Sequence, residues 1–184
     1  MFSIDTIWDL YRENDPEIYF GEEVTLTDHM LQCAYVAKEA QSSDEVVLAS
    51  FFHDVGHFLP NNKGNLKFGN MQHEYMGANF LASNGISAKI CHLVANHVAA
   101  KRYLCAKRPH YFGELSNASR ETLNYQGGPM VQKEIEVFES DMAFKDIINL
   151  RLFDECAKQP GAPKLTMDEM WDLTLKFHSS EQQC

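Results

Sequence analysis

Apolar residues recur at helical spacing along nearly the whole chain of 184 residues, and this pattern constrains the fold more than any other feature. Residues 3–14 show it clearly, with one apolar helix face formed by Ile4, Ile7, Trp8 and Tyr11. No segment alternates convincingly between apolar and polar residues, as a half-buried strand would. The sequence therefore predicts an all-α fold with five or more core helices, in a single domain that covers the whole chain.

Capping residues and helix breakers set the limits of the predicted helices. Hydroxyl residues that can accept the first backbone N–H groups stand before several apolar segments: Thr25 or Thr27, Ser43, Ser87 and Ser116. Pro60, Gly85 and Gly127-Gly128-Pro129 end the segments that precede them. After the first helix, the predicted helices run from Thr25 or Thr27 to about Gln41, over about 44–59, 71–84 and 88–106, from Ser116 toward Gly127, and near 131–139, 142–157 and 167–179.

Composition and charge exclude several classes of protein. The chain has 16 Lys and Arg against 26 Asp and Glu, a formal net charge of −10, which argues against a general nucleic-acid binder. Its apolar runs are far shorter than the roughly 20 residues of a membrane-spanning helix, and no signal peptide is visible. The five cysteines are scattered and never form a CxxC pair. These features predict a reduced, cytoplasmic protein without a membrane partner; they do not indicate an oligomeric state.

One apolar segment carries a concentration of ionisable residues. His53-Asp54-Val55-Gly56-His57 lies within an apolar run from Leu48 to Leu59, and a helix would place His53 and His57 on one face. An aspartate in such a segment is costly unless it is paired or bound to a metal. An isolated His–Asp pair of this kind is usually a hydrogen-bonded pair in a core, so this segment alone does not establish a metal site.

Four more residues of the same types occupy apolar parts of other predicted helices: His29, His73, His97 and Asp154. Each alone is more often a packing residue than a ligand. Together with His53 and Asp54 they supply the imidazole and carboxylate ligands of iron, manganese and zinc sites. Six ligands exceed the need of one tetrahedral ion, and an aspartate can bridge two ions. The set therefore fits a two-metal site.

Two cations stand one helical turn from these candidate ligands. Lys101 follows His97, and Arg151 precedes Asp154. A lysine or arginine on a helix usually faces solvent, but two at this spacing indicate an anion held beside the metals. Phosphate or phosphonate suits such a pair, and His57 or Ser119 could add hydrogen bonds.

These residues resemble the H…HD…D signature of the HD-domain superfamily. Nearly end to end, over about residues 5–160, the chain is also similar to the phosphonate-degrading branch of HD-domain oxygenases. The motifs that carry this resemblance are Tyr19-Phe-Gly-Glu22, Phe52-His-Asp-Val-Gly-His57, His97-Val-Ala-Ala-Lys-Arg-Tyr103, Leu115-Ser-Asn-Ala-Ser119, Gln126-Gly-Gly-Pro-Met130 and Arg151-Leu-Phe-Asp154.

The resemblance implies a mixed-valent Fe(II)/Fe(III) site with two iron ions. It assigns one iron to His29, His53, Asp54 and Asp154, and the other to His73, His97 and the same Asp54. It also implies that Tyr19 occupies the open position of the second iron until substrate displaces it, and that Glu22 moves with Tyr19. By the same resemblance, the phosphonate is held by His57, Lys101, Ser119 and Arg151.

The implied reaction uses O₂ to cleave the C–P bond of a small organophosphonate. In this branch 2-amino-1-hydroxyethylphosphonate gives glycine and phosphate, whereas a relative converts the N-trimethylated substrate to glycine betaine. Two other classes stay open on the residues. The chain could be an HD phosphohydrolase, which leaves Tyr19 and Glu22 without a role. It could also be a metal-binding regulatory module, which has no need of the complete ligand set.

Overall fold

The computed structural model describes residues 3–14, 22–60 and 72–178, and their regular structure is helical. The α-helices of these ranges are α1 (Ile4–Asn14), α2 (Leu26–Glu39), α3 (Asp44–Phe52), α4 (His73–Ser83), α5 (Ala88–Lys107), α6 (Tyr111–Glu114), α7 (Asn117–Tyr125), α8 (Gln132–Glu139), α9 (Phe144–Cys156) and α10 (Met167–His178). A 3₁₀ helix covers Val55–Phe58, and no strand occurs in the described ranges. The all-α prediction is confirmed. Tyr19 and most of the predicted loop 60–70 lie outside the described residues.

Hydroxyl caps begin four of the helices around the site, as the sequence predicts. The backbone N–H of Asp28 donates to Thr25 Oγ1 at 3.0 Å, so Thr25 rather than Thr27 begins α2. Ser43, Ser87 and Ser116 begin α3, α5 and α7 in the same way. These caps fix where each helix starts, and they therefore fix which residues of each helix face the interior.

The predicted helix over residues 44–59 is wrong in its second half. α3 ends at Phe52, and His53 and Asp54 form a turn before the 3₁₀ helix begins. Gly56 explains the break, because it packs directly against the start of α4. A Cβ atom on Gly56 would lie 2.0 Å from the carbonyl oxygen of His73. His53 and His57 therefore do not share one face of a continuous α-helix.

Five helices surround the interior in which the site lies. α2 packs against α3 and α9, and α5 packs against α3, α4 and α9. Their apolar contacts are fully buried at Met30, Leu48, Leu93 and Leu150. Burial of apolar side chains on all sides fixes the relative positions of the polar residues that point into the same interior.

Helices α1 and α10 cover the outer face of α3 with aromatic side chains. The ring centroids of Trp8 and Trp171 lie 5.0 Å apart, and Tyr11 stacks on Phe51 at 4.8 Å. Both tryptophans are packing residues. None of the helices described is long and apolar enough to cross a membrane.

Candidate metal centre and anion pocket

The structure brings all six predicted metal ligands together in the interior. They come from α2, the turn after α3, the start of α4, the middle of α5 and the end of α9, and each is at most 6% exposed: His29, His53, Asp54, His73, His97 and Asp154. Residues from five places in the chain thus converge on one region. Such a concentration of buried ionisable groups is costly unless they are paired or bind cations.

One set of donor atoms gathers around Oδ2 of Asp54. This oxygen lies 3.3 Å from Nε2 of His53 and 3.6 Å from Nε2 of His29. Oδ1 of Asp154 lies 3.4 Å from Nε2 of His29 and 4.0 Å from Nε2 of His53. Two imidazoles and two carboxylates therefore face one point.

A second set gathers around the other oxygen of the same carboxylate. Oδ1 of Asp54 lies 3.2 Å from Nε2 of His73 and 3.5 Å from Nε2 of His97. His57 also lies here, with Nε2 3.9 Å from Oδ1 and its ring stacked on His73 at 4.0 Å. Asp54 thus stands between two groups of histidines and offers one oxygen to each.

The hydrogen bonds of the rings show which nitrogen can offer a lone pair to a cation. Nδ1 of His29 lies 2.7 Å from the carbonyl of Ala157, and Nδ1 of His53 lies 2.8 Å from the carbonyl of Ser50. Because a carbonyl only accepts, each Nδ1 carries the hydrogen, and Nε2 of the neutral ring keeps its lone pair. Yet the two Nε2 atoms lie 3.1 Å apart. Two lone pairs at this distance require a positive charge between them.

The carboxylates support the same conclusion. Oδ2 of Asp54 and Oδ1 of Asp154 are buried and have no hydrogen-bond partner among the described residues. A buried oxygen without a partner is rare, and a bound cation would satisfy both oxygens. The chemistry of these donors fits bound metal ions: neutral imidazole nitrogens and ionised carboxylates are ligands for iron, manganese and zinc.

Burial and neighbouring charges shift the protonation of these groups, toward the metal-binding form for Asp154 and His97 and away from it for His53. Burial alone would raise the pKa of Asp154, but Arg151 and Lys158 hold it well below its usual value. The pKa of His97 is lowered by burial and by His73, so its ring is neutral. The pKa of His53 is raised despite its burial, chiefly by Asp54. In the metal-free protein this shift favours a proton on His53, and a metal ion must displace that proton to bind there.

Arg151 links the metal ligands to a polar pocket beside them. One guanidinium nitrogen, Nη1, donates to Oδ2 of Asp154. Nε donates to the hydroxyl of Tyr111 at 3.0 Å, and Nη2 donates to Oγ of Ser119 at 3.4 Å. Ser119 lies on α7 and Tyr111 on α6, a short helix that the sequence pattern did not indicate. The guanidinium is 3% exposed, so this is a buried cation and not a solvated one.

Lys101 is a second buried cation of this pocket. It is 3% exposed, and its Nζ donates to Oγ1 of Thr122 at 3.1 Å. Burial and the neighbouring Arg151 lower its pKa to about 7. Thr122 and Ser119 are three residues apart on α7, so this helix offers one hydroxyl to each cation.

Sequence reasoning missed several residues of the pocket. Lys158, just beyond α9, lies close to Ser119, Asp154 and Glu22. Its spacing of four residues from Asp154 is the signal that could have revealed it. Tyr111 and Thr122 gave no comparable signal, because a tyrosine or threonine in a helical segment is common. Glu22, which the sequence motifs do indicate, lies in the same pocket, 3.7 Å from Nζ of Lys158.

Comparisons with known proteins agree with this arrangement. The HD domain family matches residues 26–126 of the chain. The [1-hydroxy-2-(trimethylamino)ethyl]phosphonate dioxygenase (glycine-betaine-forming) of Leisingera caerulea is 38% identical over 159 residues, which cover 85% of this chain and 80% of the relative. The hydroxymethylphosphonate dioxygenase of Gimesia maris is 31% identical over 184 residues, covering 98% of this chain and 87% of the relative. An uncharacterized protein of Acanthamoeba polyphaga mimivirus is 38% identical over 180 residues, or 96% and 82% of the two chains.

The fold and the His–Asp cluster define an HD-domain protein whose buried ligands could hold metal ions, and the chain belongs to the HD-domain family. Within that family it is an enzyme related over most of its length to dioxygenases. The resemblance seen in the sequence motifs is therefore confirmed at the level of the family and of the oxygenase branch.

Proposed function

We propose that this enzyme uses O₂ to cleave the C–P bond of a 1-hydroxyalkylphosphonate. The observation that carries the proposal is the position of Arg151, whose guanidinium donates to the candidate ligand Asp154 and, on its other side, to Ser119 in the pocket. One side chain thus connects the metal ligands to a buried cationic pocket. An anionic group bound there lies next to the metals. Two relatives are named as phosphonate dioxygenases, which supports the same chemistry.

The proposed cofactor is a pair of iron ions in the mixed-valent Fe(II)/Fe(III) state. His29, His53, Asp54 and Asp154 would hold one ion, and His73, His97 and the second oxygen of Asp54 would hold the other. The distances from both oxygens of Asp54 to the two groups of histidines support this division. When bound, the iron supplies the binding of O₂ and the one-electron chemistry that side chains lack.

The protein residues bind and orient the substrate in this proposal. The phosphonate oxygens accept hydrogen bonds from Arg151, Lys101 and Ser119, and His57 adds a contact from the side of the second ligand set. When the phosphonate is held in this way, the hydroxyl-bearing carbon faces the candidate metal ligands around Asp54. Burial of both cations excludes water and strengthens their attraction for a dianion. Tyr19 and Glu22 would control access to the second metal.

The overall reaction balances without any other oxidant or reductant. One 1-hydroxyalkylphosphonate and one O₂ give one carboxylic acid and one phosphate, because the C–P and C–H bonds break and two oxygen atoms are added. We propose 2-amino-1-hydroxyethylphosphonate as the substrate, with glycine as the acid. The second candidate substrate is the N-trimethylated compound, which appears in the name of the relative from Leisingera caerulea.

The test compares turnover with and without oxygen. Iron-loaded protein receives (R)-2-amino-1-hydroxyethylphosphonate, its N-trimethylated analogue or hydroxymethylphosphonate, and phosphate and the carboxylic acid are measured. We expect equal amounts of phosphate and glycine from the first compound, and none without O₂. Turnover of only the trimethylated compound would keep the reaction and change the substrate. Release of phosphate from phosphate esters without O₂ would overturn the proposal in favour of a phosphohydrolase.

A further inference from the structure

We infer that Lys158 is a third cation that binds the phosphonate, beside Arg151 and Lys101. The identity of the anion rests on the proposed function, whereas the presence of an anion site rests on the contacts of Lys158 itself. Lys158 lies in the segment after α9, yet its side chain is only 9% exposed. A lysine in such a segment usually extends into solvent, so its burial requires an explanation.

The hydroxyl of Ser119 marks the point on which the cations converge. Nζ of Lys158 donates to Oγ of Ser119 at 3.3 Å, and Nη2 of Arg151 donates to the same oxygen at 3.4 Å. A hydroxyl oxygen accepts two hydrogen bonds and keeps one hydrogen to donate. The ammonium group of Lys158, the guanidinium group of Arg151 and the hydroxyl of Ser119 therefore lie close together. An anionic oxygen beside Ser119 could accept hydrogen bonds from all three.

The carboxylates around Lys158 do not use its hydrogen-bonding capacity. Oδ1 of Asp154, Oε1 of Glu22 and Oε1 of Glu155 lie 3.7, 3.7 and 3.8 Å from Nζ. The oxygens of Asp154 and Glu22 are buried and have no hydrogen-bond partner among the described residues, and the oxygen of Glu155 forms an ion pair with Arg151. The ammonium group is thus attracted by charge, while it donates to a neutral hydroxyl. An anionic oxygen beside Ser119 would offer Lys158 a charge-assisted hydrogen bond in addition.

Neutralising the nearby carboxylates does not fully explain why Lys158 is buried. Arg151 already donates to Asp154 and forms an ion pair with Glu155. These two carboxylates therefore have a buried cation without Lys158. Of the three carboxylates near Lys158, only Glu22 then depends on it for an opposite charge, at 3.7 Å and without a hydrogen bond, so the ammonium group keeps hydrogens for an anionic ligand. The pocket should accordingly prefer a dianion to a singly charged sulfonate of the same shape.

Binding of methylphosphonate tests this inference without turnover, because this compound lacks the 1-hydroxyl group. Its affinity for metal-loaded protein is measured by calorimetry for the wild type, Lys158→Met, Lys158→Arg and Lys176→Met. Lys176 is a control because it is exposed on α10 and pairs with Asp44. We expect Lys158→Met to weaken binding about tenfold or more, Lys158→Arg to restore most of the affinity, and Lys176→Met to have no effect. Methylsulfonate should bind the wild type more weakly and respond less to Lys158→Met.

Metal content and thermal stability of each variant separate binding from structure. Wild-type affinity in Lys158→Met would overturn the inference, as would weaker binding that simply follows a loss of metal. If Lys158→Met weakens binding but no hydroxyphosphonate is oxidised, the anion site stands and the proposed function fails. If the wild type oxidises its substrate and Lys158→Met binds methylphosphonate normally, only the role of Lys158 fails. A wild type that does not bind methylphosphonate would overturn the inference about Lys158, whereas turnover of the hydroxyphosphonates decides the proposed function.

Discussion

The Nε2 atoms of His29 and His53 lie 3.1 Å apart, although the Nδ1 atom of each ring faces a backbone carbonyl. A cation between these nitrogens relieves the repulsion of their lone pairs. In the absence of metal, the raised pKa of His53, caused chiefly by Asp54, favours a proton in this position. Metal binding and protonation therefore compete for the same buried site.

The first prediction concerns removal of the metal. At neutral pH, a strong chelator should lower the melting temperature by about 5–10 °C, since a ligand at 100 times its Kd contributes about 2.7 kcal/mol and each kcal/mol shifts a domain of this size by about 2–4 °C. Because the pKa of His53 is raised, metal affinity should fall as the pH falls through that pKa. Differential scanning calorimetry with and without added iron measures the shift. An unchanged melting temperature in protein shown to have lost its metal would contradict the prediction.

The second prediction concerns Asp54, the residue shared by both ligand sets. Asp54→Asn leaves one carbonyl oxygen and turns the other donor into an amide nitrogen that carries hydrogens. We expect the metal content to fall from two ions per chain to one or none, and activity to fall more than about 100-fold. Elemental analysis of purified protein measures the metal. Asp9→Asn is the matched control, because Asp9 is exposed on α1 and pairs with Arg12. Two metals in Asp54→Asn would refute the bridging role.

The third prediction is a pH dependence of substrate binding. Burial and Arg151 lower the pKa of Lys101 to about 7, so its ammonium form, which attracts the phosphonate, is present below pH 7 and is lost above it. The KM of the wild type should therefore rise about tenfold for each pH unit above 7. Lys101→Arg keeps its charge at all these pH values and controls for titration of the substrate and the metal ligands. If the wild type and Lys101→Arg have the same pH profile, Lys101 is not the titrating group.

The fourth prediction concerns the hydroxyl that holds Arg151. Tyr111→Phe removes the acceptor 3.0 Å from Nε of Arg151 without removing the ring. A hydrogen bond to a charged group contributes about 1.5–3 kcal/mol, so KM should rise at least about tenfold while the metal content stays the same. Tyr103→Phe removes a comparable hydrogen bond to Glu139 and should leave KM unchanged. Equal KM values for Tyr111→Phe and the wild type would show that Arg151 does not depend on this contact.

The sequence predicts the site better where its residues lie inside helices than where they lie at helix ends. His29, His97 and Asp154 are found because each falls at a polar position within an apolar helical pattern, and such a pattern specifies which face is buried. Lys158 lies beyond the last turn of α9, where helical spacing no longer indicates direction. The break at His53 and Asp54 depends on Gly56 meeting the backbone of His73, a contact between separate segments that periodicity within one segment does not reveal.

The contact between Gly56 and His73 gives the last prediction. In Gly56→Ala, the new Cβ would lie 2.0 Å from the carbonyl oxygen of His73 and 2.8 Å from its Cα atom, so the 3₁₀ helix and α4 must separate. We expect a loss of about 3 kcal/mol in the free energy of unfolding, measured by urea denaturation, because backbone atoms cannot move aside as a flexible side chain can. Movement of His73 should also displace it from Asp54, so the second metal should be lost before the first. Gly113→Ala is the control, because a Cβ atom there meets nothing within 4 Å. If Gly56→Ala is as stable as Gly113→Ala and still holds two metals, the close approach of these backbones does not position His73.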